Sequence, residues 1–233
     1  GDGDGDCDND CDGVGDDDDC EPNSEKLDLS YLNTGDLLLF SENYGVIPTV
    51  IRWYTNSIWT HVGIVLKNPT YISSELKGYY LLESGFNDFT NIDGEYYYGV
   101  QIVDLKQKIN SYTGKVCYRK INRNIKSEIL ESTINTIYNS VKNKPYDLSI
   151  YDFLCLKVNI QKSIHYTNSF LDYINNILFN HKKTDRFICS SLVAFIYVEL
   201  GLLPDTINWS ECEPATFSTD NKNDYKLINF LGE

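Results

Sequence analysis

The 233-residue sequence contains no methionine, only three histidines, and only 20 lysines and arginines against 34 aspartates and glutamates. The scarcity of basic residues excludes a protein that binds nucleic acid through clustered lysine and arginine, and it argues against adhesion to anionic lipid. The longest apolar stretch, residues 187–203, is interrupted by Ser190 and Glu199 and falls short of the ~20 apolar residues of a membrane span. The absence of methionine even at position 1 suggests a processed product or a fragment.

The acidic charge is concentrated at the amino terminus. The formal net charge is −14, and ten aspartates lie within the first 20 residues, where there is no lysine or arginine. Such a composition cannot bury enough apolar surface to order the chain, so we expect this tail to be disordered on its own. The rest of the chain is long enough for one domain with a sizeable core. We therefore predict an acidic, Asp/Gly/Cys-rich tail over residues 1–22 and a single domain over residues 23–233.

The tail resembles a calcium-binding loop. Its oxygen-bearing residues fit the spacing of calcium ligands, with a glycine at the sixth position, and the run is similar to a thrombospondin type 3 repeat. The candidate ligands are Asp8, Asp10, Asp12, Asp16 and Asp19 and the Val14 carbonyl. The twelfth position of the loop, which begins at Asp8, is Asp19 instead of the longer glutamate. A solvated acidic tail is therefore the alternative. A calcium repeat would favour an exported, surface or virion-associated location.

The seven cysteines do not form a recognisable framework, and their odd number leaves at least one unpaired within a monomer. Cys7, Cys11 and Cys20 lack the fourth ligand of a zinc site, so we favour a disulfide within the tail. The other four are scattered along the chain: Cys117, Cys155, Cys189 and Cys212.

Hydrophobic periodicity predicts strands first and helices later, which indicates an α+β domain. The predicted strands cover residues 37–40, 61–66, 79–83, 99–104, 116–121 and 225–231. The predicted helices cover residues 46–55, 124–142, 147–157, 166–180 and 187–200, with Asp185 near the start of the last and Gly201 at its end.

Cys189 and His61 are the residues best suited to nucleophilic chemistry. Cys189 opens the last predicted helix, where unsatisfied backbone N–H groups and the helix dipole favour a thiolate. His61 opens a strand and would act as base and then acid if it lay beside the sulfur. The alternative is that Cys189 is a small buried apolar residue and His61 a structural one. Ser190 and Ser191 lack nucleophile-elbow glycines, and His165 and His181 are assigned no role.

Five segments in order carry a family resemblance: TGDLLLF (34–40), WTHVGIV (59–65), LES (82–84), KPYD (144–147) and FICSSLV (187–193). Over about residues 30–230 the chain resembles the circularly permuted NlpC/P60 group of papain-like hydrolases. The similarity is strongest to the YaeF/YiiX-like permuted amidases, which have relatives in poxviruses and other large DNA viruses. The resemblance implies a permuted papain-like fold, with an antiparallel sheet packed against helices.

The resemblance also implies functional residues. Cys189 matches the family nucleophile, His61 the base, and Glu83 the third residue, which would orient the imidazole. The alternative for Glu83 is a strand-end residue that faces water. Asp36 is expected to be structural, and core packing is favoured for Tyr197. Five aromatic residues would line an apolar or sugar-binding cleft or fill the core: Trp53, Trp59, Tyr96, Tyr97 and Tyr98.

The implied function is cysteine-dependent hydrolysis of an amide or ester, with a peptide, cell-wall or lipid acyl substrate and no catalytic cofactor. One alternative is a lipid acyltransferase or phospholipase of the lecithin:retinol acyltransferase type. The other is a catalytically inactive, calcium-stabilised surface binding protein.

Overall fold

The computed structural model describes residues 20–21, 28–42, 52, 57–121, 125–146 and 188–218. In this part of the chain, six strands form one sheet in the order β1-β6-β2-β3-β4-β5, and every neighbouring pair is antiparallel. The strands are β1 Cys20–Glu21, β2 Leu37–Ser41, β3 His61–Lys67, β4 Tyr79–Gly85, β5 Gly99–Asp104 and β6 Lys115–Arg119. The predicted α+β class with an antiparallel sheet is confirmed.

Three α-helices accompany the sheet in the described residues: α1 Leu105–Ser111, α2 Ser127–Val141 and α3 Cys189–Glu199. Short 3-10 helices cover Leu29–Tyr31, Trp209–Glu211 and Pro214–Phe217. No helix in these ranges is both long and apolar enough to span a membrane. Helix α2 buries Leu130, Ile134, Ile137, Tyr138 and Val141, because an apolar residue recurs every three or four positions.

The predicted strands and helices agree closely with those observed, and β5 has the predicted bounds. The sequence pattern predicted neither β1 nor α1, which follows β5 without a break. Asp104 caps this helix, because its side chain accepts a hydrogen bond of 2.8 Å from the Gln107 backbone N–H. Several predictions lie outside the described residues: Asp185, Cys155, the tail ligands Asp8 to Asp19, the helices 147–157 and 166–180, the strand 225–231 and, apart from Arg52, the helix 46–55.

The sheet has two apolar faces because side chains alternate along each strand. One face carries Leu39, Val62, Ile64 and Leu82, among others, and packs with residues of α2 and α3. The other carries Phe40, Val65 and Leu81 and packs with Leu105 and Ile109 of α1. The position of His61 and Glu83 in this alternation puts them on the α1 face, whereas Cys189 belongs to a helix on the opposite face.

Buried hydrogen bonds fix α3 against the sheet. Tyr197, fully buried, donates its hydroxyl to the Gly35 carbonyl at 2.7 Å. The buried Asp36 carboxylate accepts from the backbone N–H groups of Asn33 at 2.8 Å and Ile121 at 3.2 Å. Asp36 therefore holds the turn before β2 to the chain after β6. Gly201 ends α3 in the left-handed region, with φ of 67°.

The described cysteines differ in whether they form a disulfide bond. Cys117 in β6 is disulfide-bonded, whereas Cys189 and Cys212 are buried thiols. The register of β1 and β6 pairs Cys20 with Cys117, so the last residues of the acidic tail lie at the edge of the sheet.

Candidate active site

His61 and Glu83 form a short hydrogen bond at one end of the sheet. His61 is the first residue of β3, Glu83 lies in the neighbouring strand β4, and His61 Nε2 is 2.6 Å from Glu83 Oε2. Glu83 is fully buried, while the His61 side chain keeps 18% of its surface exposed. The carboxylate therefore fixes one ring nitrogen inside the protein and leaves the rest of the ring near solvent.

Cys189 completes this arrangement from the other side of the sheet. It is the first residue of α3 and is buried. Its sulfur interacts with the His61 side chain and with the backbone N–H groups of Val62 and Ser190. Because Glu83 holds Nε2, Nδ1 is the ring nitrogen left for the sulfur. The structure thus brings together all three residues that the sequence pointed to, although 128 positions separate His61 from Cys189.

The pairing of β3 with β4 ends before it reaches Val62 and His61. The register of these strands runs from Lys67 opposite Tyr79 to Ile64 opposite Leu82 and goes no further toward His61. The Val62 N–H therefore lies beyond the paired region and is available to donate to the Cys189 sulfur. The first turn of α3 approaches the sheet at this gap.

The start of α3 is fixed by its own side chains. Ser191 Oγ accepts from the Ile188 backbone N–H at 3.0 Å and donates to the Ile188 carbonyl at 3.0 Å. Ser190 Oγ donates to the Cys212 carbonyl at 2.6 Å. Ser191 therefore acts as a helix-start hydroxyl, and Ser190 ties the same turn to the segment that carries Cys212.

The three groups shift one another's proton affinities. Burial raises the pKa of the Cys189 thiol, but the neighbouring His61 and the two backbone N–H groups outweigh it, and the pKa is lowered. Burial lowers the pKa of His61, but Cys189 and Glu83 raise it from 6.5 to about 9. Burial raises the pKa of Glu83, but Lys108 and then His61 hold it far below its usual value. The arrangement favours a thiolate beside an imidazolium.

Two further residues, which the sequence pattern did not predict, contact Glu83. Lys108 Nζ lies 3.0 Å from Glu83 Oε2 and 3.3 Å from Oε1. Asn87 donates its side-chain N–H to Glu83 Oε1 at 2.6 Å. The sequence carries a signal only for the helix, because Asp104 followed by Gln107 is a helix-start pattern, and nothing local places this helix against Glu83.

The aromatic residues that were expected to line a cleft or fill the core differ in their burial. Trp59 is buried in the core, whereas Tyr96 is exposed and Tyr97 donates its hydroxyl to the Asn143 carbonyl. Tyr98 stacks on Tyr146 with ring centroids 4.7 Å apart and meets Phe86 edge-on at 6.1 Å. Phe86 is 61% exposed and directly follows Gly85, so it offers apolar surface beside the site. Trp53 lies outside the described residues.

Gly85 leaves room for the His61 ring. A Cβ added at this position would lie 3.1 Å from His61 Cε1 and 3.8 Å from Glu83 Cδ. We expect Gly85→Ala to displace the imidazole by a few tenths of an ångström and to lower by about tenfold any turnover that depends on His61, with little change in the free energy of unfolding. Turnover assays and urea denaturation test this, and unchanged turnover would contradict it.

Gly63 provides the matched control, since it lies in the same strand as His61. A Cβ there would lie 2.8 Å from Leu81 Cγ, inside the core. Gly63→Ala is therefore expected to lower the free energy of unfolding by about 1–3 kcal/mol. Comparison of the two variants therefore distinguishes a displaced imidazole from a loss of stability of the fold.

No group of three or more metal-binding side chains occurs among the residues that the structure describes. The tail ligands lie outside that set, so the calcium loop stays a prediction.

Comparison with solved structures finds distant matches to this chain. No protein-family model matches the sequence, and no curated protein is significantly similar to it. Among solved structures, the chain is similar to that of the metalloprotein YiiX from Escherichia coli O157:H7, with 20% identity and a TM-score of 0.46. The match covers 72% of this chain and 67% of that one. A likeness at this level says nothing about the chemistry of this chain.

Proposed function

We propose that the protein is a cysteine-dependent hydrolase that cleaves an amide or ester bond through an acyl-enzyme on Cys189. The observation that carries the proposal is the His61–Glu83 hydrogen bond of 2.6 Å, together with the interaction of the same imidazole with the Cys189 sulfur. A nucleophile, a base in contact with it and a carboxylate that orients the base are the parts that covalent acyl transfer requires.

The proposed reaction has two steps. In the first, the Cys189 thiolate adds to the substrate carbonyl, and the His61 imidazolium gives its proton to the leaving amine or alkoxide as the acyl bond breaks. In the second, neutral His61 takes a proton from water while the resulting hydroxide attacks the thioester. The C–S bond breaks, the acid departs and the thiolate–imidazolium pair is restored. Glu83 fixes the ring and stabilises its charged form throughout.

The anion formed on the carbonyl oxygen needs hydrogen-bond donors. The Cys189 backbone N–H, at the positive end of α3, is suited to this task because it lies next to the attacking sulfur.

The substrate is expected to be an acyl compound with an apolar part. Phe86, exposed beside Gly85, would contact such a group. Peptide amides, N-acyl amides of the cell-wall type and phospholipid esters all contain the required carbonyl, so all three belong in the substrate panel. Preference for phospholipid esters would assign the lipid acyltransferase or phospholipase type in place of the amidase.

The test compares Cys189→Ala with Cys212→Ala on this panel. Cys212 is a suitable control because it is also a buried thiol and because its described contact with Ser190 uses the backbone carbonyl, which alanine retains. We expect Cys189→Ala to abolish hydrolysis and Cys212→Ala to keep it. Equal hydrolysis by the two variants would contradict the proposal. Absence of hydrolysis by the wild-type protein would favour the inactive binding protein.

The pH dependence follows from the raised pKa of His61. Because the pKa rises from 6.5 to about 9, the imidazolium that protonates the leaving group persists up to that pH and is lost above it. We expect kcat/KM to fall as the pH rises through about 9. A fall centred near 6.5 would show that His61 does not interact with Cys189 and Glu83 as described.

A further inference from the structure

Lys108 is a buried lysine at the centre of the site. It lies on α1, and only 9% of its side chain is exposed. Its ammonium group contacts both oxygens of Glu83, at 3.0 and 3.3 Å, and the Asn87 Oδ1 atom at 2.6 Å. It also lies 5.6 Å from the centre of the Phe40 ring. Lysines are almost never buried to this degree unless a charge pairs with them.

Asn87 connects the two charged groups in a fixed orientation. Its side-chain N–H donates to Glu83 Oε1, and its oxygen accepts from Lys108. The reverse orientation would aim the amide N–H at an ammonium and its oxygen at a carboxylate, so only one orientation satisfies both partners. The Glu83 carboxylate is thereby held by Lys108 and Asn87 on one side and by His61 on the other.

The charges of the site alternate along the contacts. In the ion-pair state the negative Cys189 thiolate lies beside the positive His61 imidazolium. On the other side of this ring, the negative Glu83 carboxylate contacts the positive Lys108 ammonium. Among described residues, Glu83 meets His61 from β3, Lys108 from α1 and the uncharged Asn87 from the chain after β4. Four charges sum to zero, whereas the first three alone would leave one net negative charge in a buried place, which is costly.

We propose that Lys108 is a positioning residue of this site, which holds Glu83 in place, balances its charge and weakens the hold of His61 on its proton. Lys108 and His61 contact the same oxygen, Glu83 Oε2, so the ammonium opposes the positive charge of the imidazolium. An imidazolium opposed in this way gives up its proton to a leaving group more readily. The catalytic consequence rests on the proposed function, but the effect on His61 titration does not.

The test removes the charge of Lys108 and follows His61 directly. The protein has three histidines, so NMR titration of the ¹⁵N-labelled chain, assigned with His61→Gln, reports the pKa of His61 without any substrate. Lys108→Gln keeps a hydrogen-bond donor and loses the charge. Lys106→Gln, exposed on the same helix, is the matched control.

We expect Lys108→Gln to raise the pKa of His61 by about one unit or more, since removal of a nearby like charge favours the charged form. Lys106→Gln should leave it unchanged. If the protein hydrolyses a substrate, the alkaline limb of kcat/KM should move to higher pH together with the His61 titration, and kcat should fall. An unshifted His61 titration in folded Lys108→Gln overturns the proposal, whether or not hydrolysis is observed.

Folding failure is informative as well. Suppose that Lys108→Gln does not fold but the double variant Glu83→Gln/Lys108→Gln does. The fold then needs Lys108 because its ammonium balances the charge of Glu83, as proposed. If the double variant also fails to fold, Lys108 acts through packing, and the proposal is wrong.

Discussion

Replacement of Glu83 by glutamine is expected to destabilise the protein and to weaken its chemistry at the same time. The substitution keeps the size of the side chain but removes the charge that pairs with Lys108 at 3.0 Å and with His61 at 2.6 Å. Loss of one partner of a buried ion pair leaves the other charge uncompensated, which costs about 3–5 kcal/mol. Urea denaturation measures this loss.

The same substitution should lower the pKa of His61. Glu83 is one of the two anions that raise this pKa to about 9, so its removal moves the alkaline limb of kcat/KM toward lower pH. A loss of stability with no shift of this limb would mean that Glu83 supports the fold and does not tune His61.

A surface ion pair serves as the control for Glu83→Gln. Asp93 lies 2.9 Å from Lys142, and each side chain is 35% exposed. Because water screens such a pair, Asp93→Asn is expected to cost less than about 1 kcal/mol. Equal losses from the two substitutions would show that burial does not govern the Glu83 pair.

Replacement of His61 by glutamine is expected to remove both the base and the stabiliser of the thiolate. General acid–base catalysis contributes about 10²–10⁴-fold, so hydrolysis should fall by that factor. His61 is also the main cause of the lowered pKa of Cys189. Its loss should raise the thiol pKa, because burial then acts with less opposition.

Alkylation by iodoacetamide separates these two effects, since it needs only the thiolate. We expect the pH dependence of Cys189 alkylation in His61→Gln to move to higher pH than in the wild-type protein. His181→Gln, which has no assigned role, should behave as wild type. An unchanged alkylation profile in His61→Gln would place His61 out of contact with the sulfur.

The sequence predicts the parts of the site that depend on local pattern. A cysteine at the start of an apolar helix and a histidine at the start of an apolar strand stand out because local periodicity fixes both elements. Spacing alone could not bring them together across 128 positions, and the pairing of His61 with Cys189 came from the order of five short segments. In the structure, the packing of α3 against β3 and β4 brings the two residues together.

The residues of the site that the sequence pattern does not predict depend on tertiary contacts. Lys108 looks like a surface residue in a polar stretch, and only the packing of α1 against β4 and β5 buries it. Asn87 is equally inconspicuous, because its role arises from two partners in different elements. The requirement for a glycine at position 85 is set by the His61 ring, 24 residues earlier in the chain. No local period encodes any of these.

The most direct test of the central claim is the position of the covalent acyl group. The wild-type protein is mixed with an activated acyl ester, quenched in acid after a few turnovers, and analysed by intact mass and peptide mapping. We predict one acyl group per chain, attached to Cys189, absent in Cys189→Ala and retained in Cys212→Ala. An adduct on another residue, or one of equal yield in Cys189→Ala, would contradict the claim that Cys189 is the nucleophile.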